Sequence, residues 1–332
     1  MRILIIMAIL LLPFQSFAHS NEEFLDTVEN VRSSIVLVES KREGVIPGSA
    51  LDKYLNKNKP NREPVSVGTG FVIDGQYIIT NNHVIDKAKV ITISFENSTK
   101  RHIAKLIGTD ALSDIAVLRV EKGMPKTIPM KWGDSDKLRA GQEVWAMGHP
   151  RGLMYTVSKG VVSHIHRRIS SGWQTVVQSD VSINQGNSGG PLMDMAGNVI
   201  AINTLILSKD GGSDGLSMSV DSKLALYVIK KLIENGRIDR PRIGTGLDYN
   251  PALGRVFVNM VEPSSAAETA GVKIGDVIIE ADGANIESVD DLFDVLQYKL
   301  PYEDFKLMIM RDEVVMHIDM QLGLMEPASD TK

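Results

Sequence analysis

A serine among glycines, a histidine just after an apolar run and an aspartate just before another are the residues whose types and order could do chemistry here. The serine is Ser188, in the stretch NQGNSGGPL (184–192), with Gly186 and Asn187 before it and Gly189 and Gly190 after it. Glycines on both sides let the backbone turn sharply, expose the hydroxyl and aim consecutive N–H groups at one point. Acyl transfer needs that geometry, because a developing oxyanion must meet donors already in place. The plain alternative is a glycine-rich hairpin turn. A serine of ordinary pKa does little unaided, so the chemistry depends on a base and an acid that orients it.

Both occur upstream. His83 lies in YIITNNHVI, after a strand-like run that would bring it to a sheet edge, and Asp114 immediately precedes the apolar run IAVLRV. Each has an ordinary reading alone: a turn histidine, a strand cap, a turn serine. Together they follow the order His83, Asp114, Ser188, which is similar to that of two-barrel chymotrypsin-like proteases. In that mechanism Ser188 attacks a carbonyl, His83 takes and returns the proton, and Asp114 fixes the imidazole tautomer and stabilises its charge. The segment Gly186, Asn187 and Ser188 would form the oxyanion hole, with the N–H groups of Gly186 and Ser188 as donors.

The elements that must position these residues fall into two rhythms. Apolar runs at 70–74, 77–80, 90–95, 102–108, 115–120, 143–147, 157–165, 174–177, 199–203 and 216–220 are short, β-rich and separated by Gly and Asp turns. That spacing predicts antiparallel barrels or a sandwich pair. A helix over 21–34, with Phe24, Leu25, Val28 and Val31 on one face, precedes a first strand at 35–38. A polar insertion at 41–67 is too long for a simple connector. A helix at 224–234, capped by Asp221 or Ser222 and stopped by Asn235-Gly236, closes this part. After a charged segment at 237–241 that ends in proline, five or six strands and two helices make a small α+β module; Ser264 or Ser265 opens one helix and Ser288 the other. The expected domains are a signal peptide over 1–18, a protease domain over 19–236, a linker over 237–241 and a module over 242–325.

Whole-chain properties narrow the class. At 332 residues two domains are expected. Hydrophobic residues make up 43% and charged residues 23%, enough for full cores. A net charge of −5 argues against a nucleic-acid partner. Residues 1–18, with Arg2 as their only charge and an apolar run over 3–12, have the layout of a cleavable secretory signal, the alternative being an uncleaved anchor. The protein is therefore expected to be exported, periplasmic or extracellular. It has no cysteine, which excludes disulfides and thiol chemistry. No cofactor is called for, and His164 and His166, alternating along a strand, are not expected to bind a metal.

TNNHV, the DIAVL run, GHPRGL, SDVSINQGNSGGPL and INTLIL together resemble the HtrA/Deg family of exported serine proteases, and the last part resembles its PDZ domain. The likeness spans about residues 24–323. It implies an all-β two-barrel chymotrypsin-like protease domain followed by one α+β PDZ domain, unlike members that carry two. It also implies a homotrimer held by the N-terminal segment, and an activation-sensing loop at 166–173 in which Arg167 or Arg168 takes the family's arginine role. By the same resemblance Ser182, Ile183 and Ile206 would line a narrow, apolar S1 pocket that selects Val, Ala, Ile or Leu. C-terminal peptides would be captured by Arg242, Ile243, Gly244 and Thr245, against Leu292 and Leu296; Thr245 stands where the family usually has an aliphatic residue. Asn187 replaces the aspartate that orders the hole of digestive relatives by pairing with a new N-terminus, so the loops 148–159, 166–173 and 208–215 would have to order it here.

The function implied is an endopeptidase acting on misfolded or exposed, unfolded polypeptides. Two alternatives stay open: a regulatory protease that cuts one signalling partner, and a non-proteolytic chaperone or scaffold.

Overall fold

The computed structural model describes residues 15–41, 65–96, 98–168, 173–206 and 212–326. Helix α1 (Gln15–Arg32) precedes β1 (Ile35–Lys41), β2 (Val65–Ile73), β3 (Tyr77–Thr80), the one-turn helix α2 (Asn82–Ile85), β4 (Val90–Ser94), β5 (Arg101–Asp110) and β6 (Ile115–Val120). These six strands close into a barrel in the order β1-β2-β3-β6-β5-β4. The strands β7 (Glu143–Gly148), β8 (Thr156–Arg168), β9 (Thr175–Ser179), β10 (Pro191–Met193), β11 (Val199–Ile206) and β12 (Ser217–Asp221) close a second barrel, ordered β10-β11-β12-β9-β8-β7. The expected two-barrel architecture is therefore found. Closure leaves neither sheet a free edge.

Three apolar clusters hold this part together. One fills the first barrel around Val38, Ile78, Ile93 and Leu118, and another fills the second around Val144, Val177 and Leu192. The third lies between the barrels. It joins Phe71 and Ile115 of the first to Trp145 and Met193 of the second, and both to helix α3 (Ser222–Asn235) through Leu224, Val228 and Leu232. Asp221 caps α3 by accepting from Leu224 N at 2.8 Å, and Gly236 ends it in the left-handed conformation that glycine adopts without strain.

After α3 come β13 (Pro241–Arg242), β14 (Thr245–Asn250), β15 (Arg255–Val261), α4 (Ala266–Ala270), β16 (Val277–Ala281), β17 (Ala284–Asn285), α5 (Val289–Leu296), β18 (Asp304–Arg311), β19 (Val314–Gln321) and β20 (Gly323–Leu324). The main sheet runs β14-β15-β16-β18-β19, which leaves β14 at an edge. Ser265 caps α4, and Ser288 with Asp291 forms a capping box on α5.

Several boundaries differ from the sequence reading. Helix α1 starts at Gln15 instead of Asn21 and runs across the expected cleavage point; residues 1–14 lie outside the described residues. Phe24, Val28 and Val31 pack on the shared core, whereas Leu25 is 52% exposed, because one residue further on is turned 100° around the helix. Of the insertion at 41–67, Lys41 ends β1 and Val65 starts β2, and residues 42–64 lie outside the described residues, as do 169–172 and 207–211, which take in parts of the expected loops 166–173 and 208–215. Strand β10 had no sequence signal, since it is three residues long and opens with proline. Among the described residues no helix is long and apolar enough to cross a membrane.

Candidate active site

Two strand ends bring the histidine and aspartate together. Thr80 closes β3 and pairs with Ala116 of β6, so α2, which follows β3, lies against the turn that precedes β6. Asp114 Oδ2 and His83 Nδ1 are 2.7 Å apart, and Asp114 Oδ1 accepts from His83 N at 2.9 Å. Thr204 on β11 also donates to Oδ2. Asp114 is held in the left-handed region, φ 57°, where its carbonyl accepts from Asn81 Nδ2 at 2.8 Å and Asn82 N at 3.1 Å. A carboxylate at Nδ1 keeps the proton there and leaves the Nε2 lone pair free to act as a base. The His83 side chain is 47% exposed and that of Asp114 12%, so the imidazole can meet a substrate and the carboxylate cannot.

The serine sits on a turn whose glycines answer close approaches. Gly189 has φ 83°, and a Cβ there would run into Thr80 Oγ1 and Thr69 O; at Gly186, φ 107°, it would run into His149 O. Within the turn Asn187 N donates to Asn184 O at 2.9 Å and Gly190 N to Asn187 O at 3.0 Å, while Gly189 N reaches Asn203 O at 2.8 Å. The Asn187 N–H is thus engaged, and among the described residues the N–H groups of Gly186 and Ser188 have no protein acceptor. No hydrogen bond joins Ser188 Oγ to His83 among the described residues. The two walls approach at Gly68, where a Cβ would stand 2.7 Å from the Val84 methyls and 3.0 Å from Ser188 O. Catalytic hydrogen bonds are often long in free enzymes and tighten around substrate.

Other sequence-predicted residues are placed less uniformly. Ser182 is exposed and its carbonyl accepts from Ser158 Oγ at 3.1 Å. Ile183 is only 3% exposed, inside the second barrel, and Ile206 packs half-buried on the same cluster. Arg242 pairs with Glu262 at 2.6 Å. Ile243 and Gly244 have their carbonyls bonded by Ala267 N and Glu262 N, both at 2.9 Å, and Thr245 opens the edge strand β14. Leu292 and Leu296 are buried in the module's core, while Val289 and Phe293 of the same helix are half-buried. Arg168, at the end of β8, bonds Asp294 on α5; Arg167, beside it, pairs with Val176 of β9.

Three residues around the site, and one beyond it, went unread in the sequence. Thr204 lies in INTLIL, but a strand threonine carries no signal of its own. Asn81 and Thr69 are as ordinary in type. Trp173, the last residue of the expected loop 166–173, leaves the second barrel to join the core of the last module, edge-on to Phe293 at 5.5 Å.

Comparison with known proteins agrees with this fold. Residues 68–202 match the family model of a trypsin-like peptidase domain, and residues 233–322 that of a PDZ domain. A probable periplasmic serine endoprotease, DegP-like, from Marinomonas sp. (strain MWYL1) is 42% identical over 241 residues, 68% of this chain and 50% of that protein. The periplasmic serine endoprotease DegP of Escherichia coli (strain K12) is 37% identical over 239 residues, again 68% of this chain and 50% of its own length. The chain thus spans about half the length of the curated relatives it matches. Among solved structures, the HtrA-type protease AlgW with tripeptide aligns at a TM-score of 0.80 and 27% identity over 92% of this chain and 98% of that one. The serine endoprotease from Yersinia pestis aligns at 0.70 and 27%, covering 91% and 98%. In its two domains, its relatives and its fold, the chain belongs to the HtrA/Deg family of trypsin-like serine proteases with a PDZ domain.

Proposed function

We propose that this chain is an exported serine endopeptidase that cleaves exposed, unfolded polypeptide through an acyl-enzyme at Ser188. The observation that carries the reading is the His83–Asp114 pair, with Gly68 packed between the helix that bears His83 and a serine turn in which the N–H groups of Gly186 and of Ser188 itself are unengaged. His83 Nε2 takes the Ser188 proton as Oγ attacks the scissile carbonyl, and Asp114 stabilises the imidazolium. The oxyanion so formed accepts from Gly186 N and Ser188 N. Collapse breaks the C–N bond, and the leaving amine takes the proton from His83. Water, deprotonated by His83 in turn, attacks the ester, releases the acid and restores the hydroxyl. No charged side chain stands at Ser182, and Asp180, spaced differently, accepts from Val161 N at 2.6 Å. Cleavage should therefore follow small aliphatic residues such as Val, Ala, Ile or Leu, and a peptide profile dominated by Lys or Arg would refute this preference.

The names of the relatives favour the periplasm as the place of action. At the PDZ domain a C-terminal peptide would add to the open edge of β14, its carboxylate at the Ile243-Gly244 turn. A homotrimer, with α1 near its contacts, is the assembly the family suggests. The deciding experiment is Ser188→Ala: fluorophosphonate labelling and casein hydrolysis should both vanish while the melting temperature stays put. Hydrolysis at the parent rate by that variant would end the proposal.

A further inference from the structure

We infer that Thr69 is the positioning residue of the oxyanion hole, holding from the first barrel the peptide planes of a turn that belongs to the second. The inference rests on the proposed function and adds to it a residue outside the catalytic three. Thr69 lies in β2 opposite Leu37 of β1 and is fully buried. Its N–H donates to Ser188 O at 2.9 Å, and its hydroxyl donates to Gly186 O at 2.7 Å.

The turn contains four peptide planes, from 185–186 to 188–189. A trans peptide points its N–H opposite its C=O, so fixing one end of a plane aims the other. The plane 186–187 is fixed by Thr69 Oγ1 at its carbonyl and by Asn184 O at its N–H. The plane 188–189 is fixed by Thr69 N and Asn203 O. Between them, plane 187–188 has only its carbonyl tied, to Gly190 N, and its N–H, that of Ser188, is left for substrate. Both of its neighbours are held by Thr69, which fixes the two Cα positions between which this plane hangs, and its own carbonyl bond to Gly190 N then sets its orientation.

The fourth plane, 185–186, carries the other donor. Its carbonyl accepts from Arg151 N at 2.8 Å, in the turn that follows β7. Thr69 anchors that turn too, because its hydroxyl accepts from His149 N at 3.1 Å. One hydroxyl thus serves two segments, donating to the first and accepting from the second, as its chemistry allows. The surrounding glycines fit this residue. A Cβ on Gly190 would lie 2.9 Å from Thr69 Cγ2, and one on Gly148 2.8 Å from Thr69 Oγ1.

Thr69→Val keeps the shape and removes the hydroxyl, which leaves the Gly186 carbonyl and the His149 N–H without partners. Freed, the planes rotate to find other donors and the hole loses its aim. Removing one hole donor outright lowers kcat by roughly 10²- to 10³-fold, so misaiming should lower it about 10- to 100-fold. The expected result is that loss in kcat for a peptide substrate with KM within about threefold. A peptide boronate, whose tetrahedral adduct fills the hole, should weaken by a similar factor. Thr69→Ser, which returns the hydroxyl, should recover most of the loss. A merely structural threonine would leave the ratio of boronate affinity to KM untouched.

A valine variant with kcat within threefold of the parent, a loss confined to KM, or a serine variant as impaired as the valine one would overturn the inference. If Thr69→Val does not fold by circular dichroism, Thr69→Ala takes its place under the same criteria. If neither folds, Thr69→Ser decides, a tenfold loss counting against the inference and near-parent turnover for it. Should the parent neither cleave nor take a fluorophosphonate label, the proposed function fails; should parent and valine variant turn over alike, only this inference does.

Discussion

Around Ser188 the residues are chosen by how closely backbones approach, and His149 shows what such closeness does to a titrating group. The ring is fully buried, accepts from Tyr155 N through Nδ1 at 3.1 Å and stacks edge-on against Tyr155. Burial disfavours the imidazolium and lowers its pKa from 6.5 to about 4. Between those values the unfolded chain binds a proton that the folded chain refuses, so stability present above pH 6.5 is lost as pH falls and levels off below 4. The contribution amounts to ~3 kcal/mol at most. Urea midpoints at pH 7.5 and 4.5 should differ less in His149→Asn, which keeps an acceptor for Tyr155 N; an unchanged difference would clear His149 of this role. Gly189→Ala should cost more than ~2 kcal/mol, since it forces a side chain into a left-handed position against Thr80 and Thr69. At this scale the sequence was most readable where residue type is the signal. A histidine, an aspartate and a serine among glycines are rare enough to notice, whereas Thr69 and Thr204 matter through partners 117 and 90 residues away.

The elements place these residues, and α1 tests how far periodicity carries. Phe24 sits edge-on to Trp145 at 5.3 Å with Lys159 over its ring, and Val31 faces Gly197. Phe24→Ala should cost about 1–2 kcal/mol, less than a fully buried phenylalanine, while Leu25→Ala should stay within about 0.5 kcal/mol. Equal shifts in melting temperature would mean that the helix docks on another face in solution. Most strands were legible from their spacing and apolar runs. Strand β10 was not: Pro191 stands at its first position, where a missing N–H is tolerated, and only Leu192 and Met193 pair with both neighbours. The PDZ edge strand β14 has half of its ladder unpaired, so a free-acid C-terminal peptide should bind there more tightly than its amide. Equal affinities in a titration would leave the domain a packing role only.

At the scale of the whole molecule the two domains meet through a junction that composition disguised as a linker. Arg240, inside the charged segment before Pro241, is buried. It pairs with Asp110 at 2.5 Å, lies over the Trp173 ring at 5.1 Å and donates to Gln297 O at 3.3 Å. Asp110 also accepts from Ser113 N and Oγ, in the same turn as Asp114. On the other side Trp173 rests on Phe293 of α5, and Arg168 bonds Asp294. A continuous set of contacts therefore runs from the PDZ helix to Ser113, the residue before Asp114. Contacts of this kind couple two sites only if both bias one equilibrium, and such coupling is reciprocal. If the hole is ordered in only part of the population, a PDZ peptide that favours the ordered form should tighten a peptide boronate at Ser188, and the boronate should tighten the peptide by the same factor. Trp173 emission reports the junction, so it should shift in the same titrations. Arg240→Ala leaves Asp110 buried without its cation, which typically costs about 3–5 kcal/mol, and the coupling factor should fall toward one. Substrate dependence should be sigmoidal in the parent and hyperbolic in this variant. A factor of one in the parent, or a factor that survives in Arg240→Ala, would show that the junction only fastens the domains together.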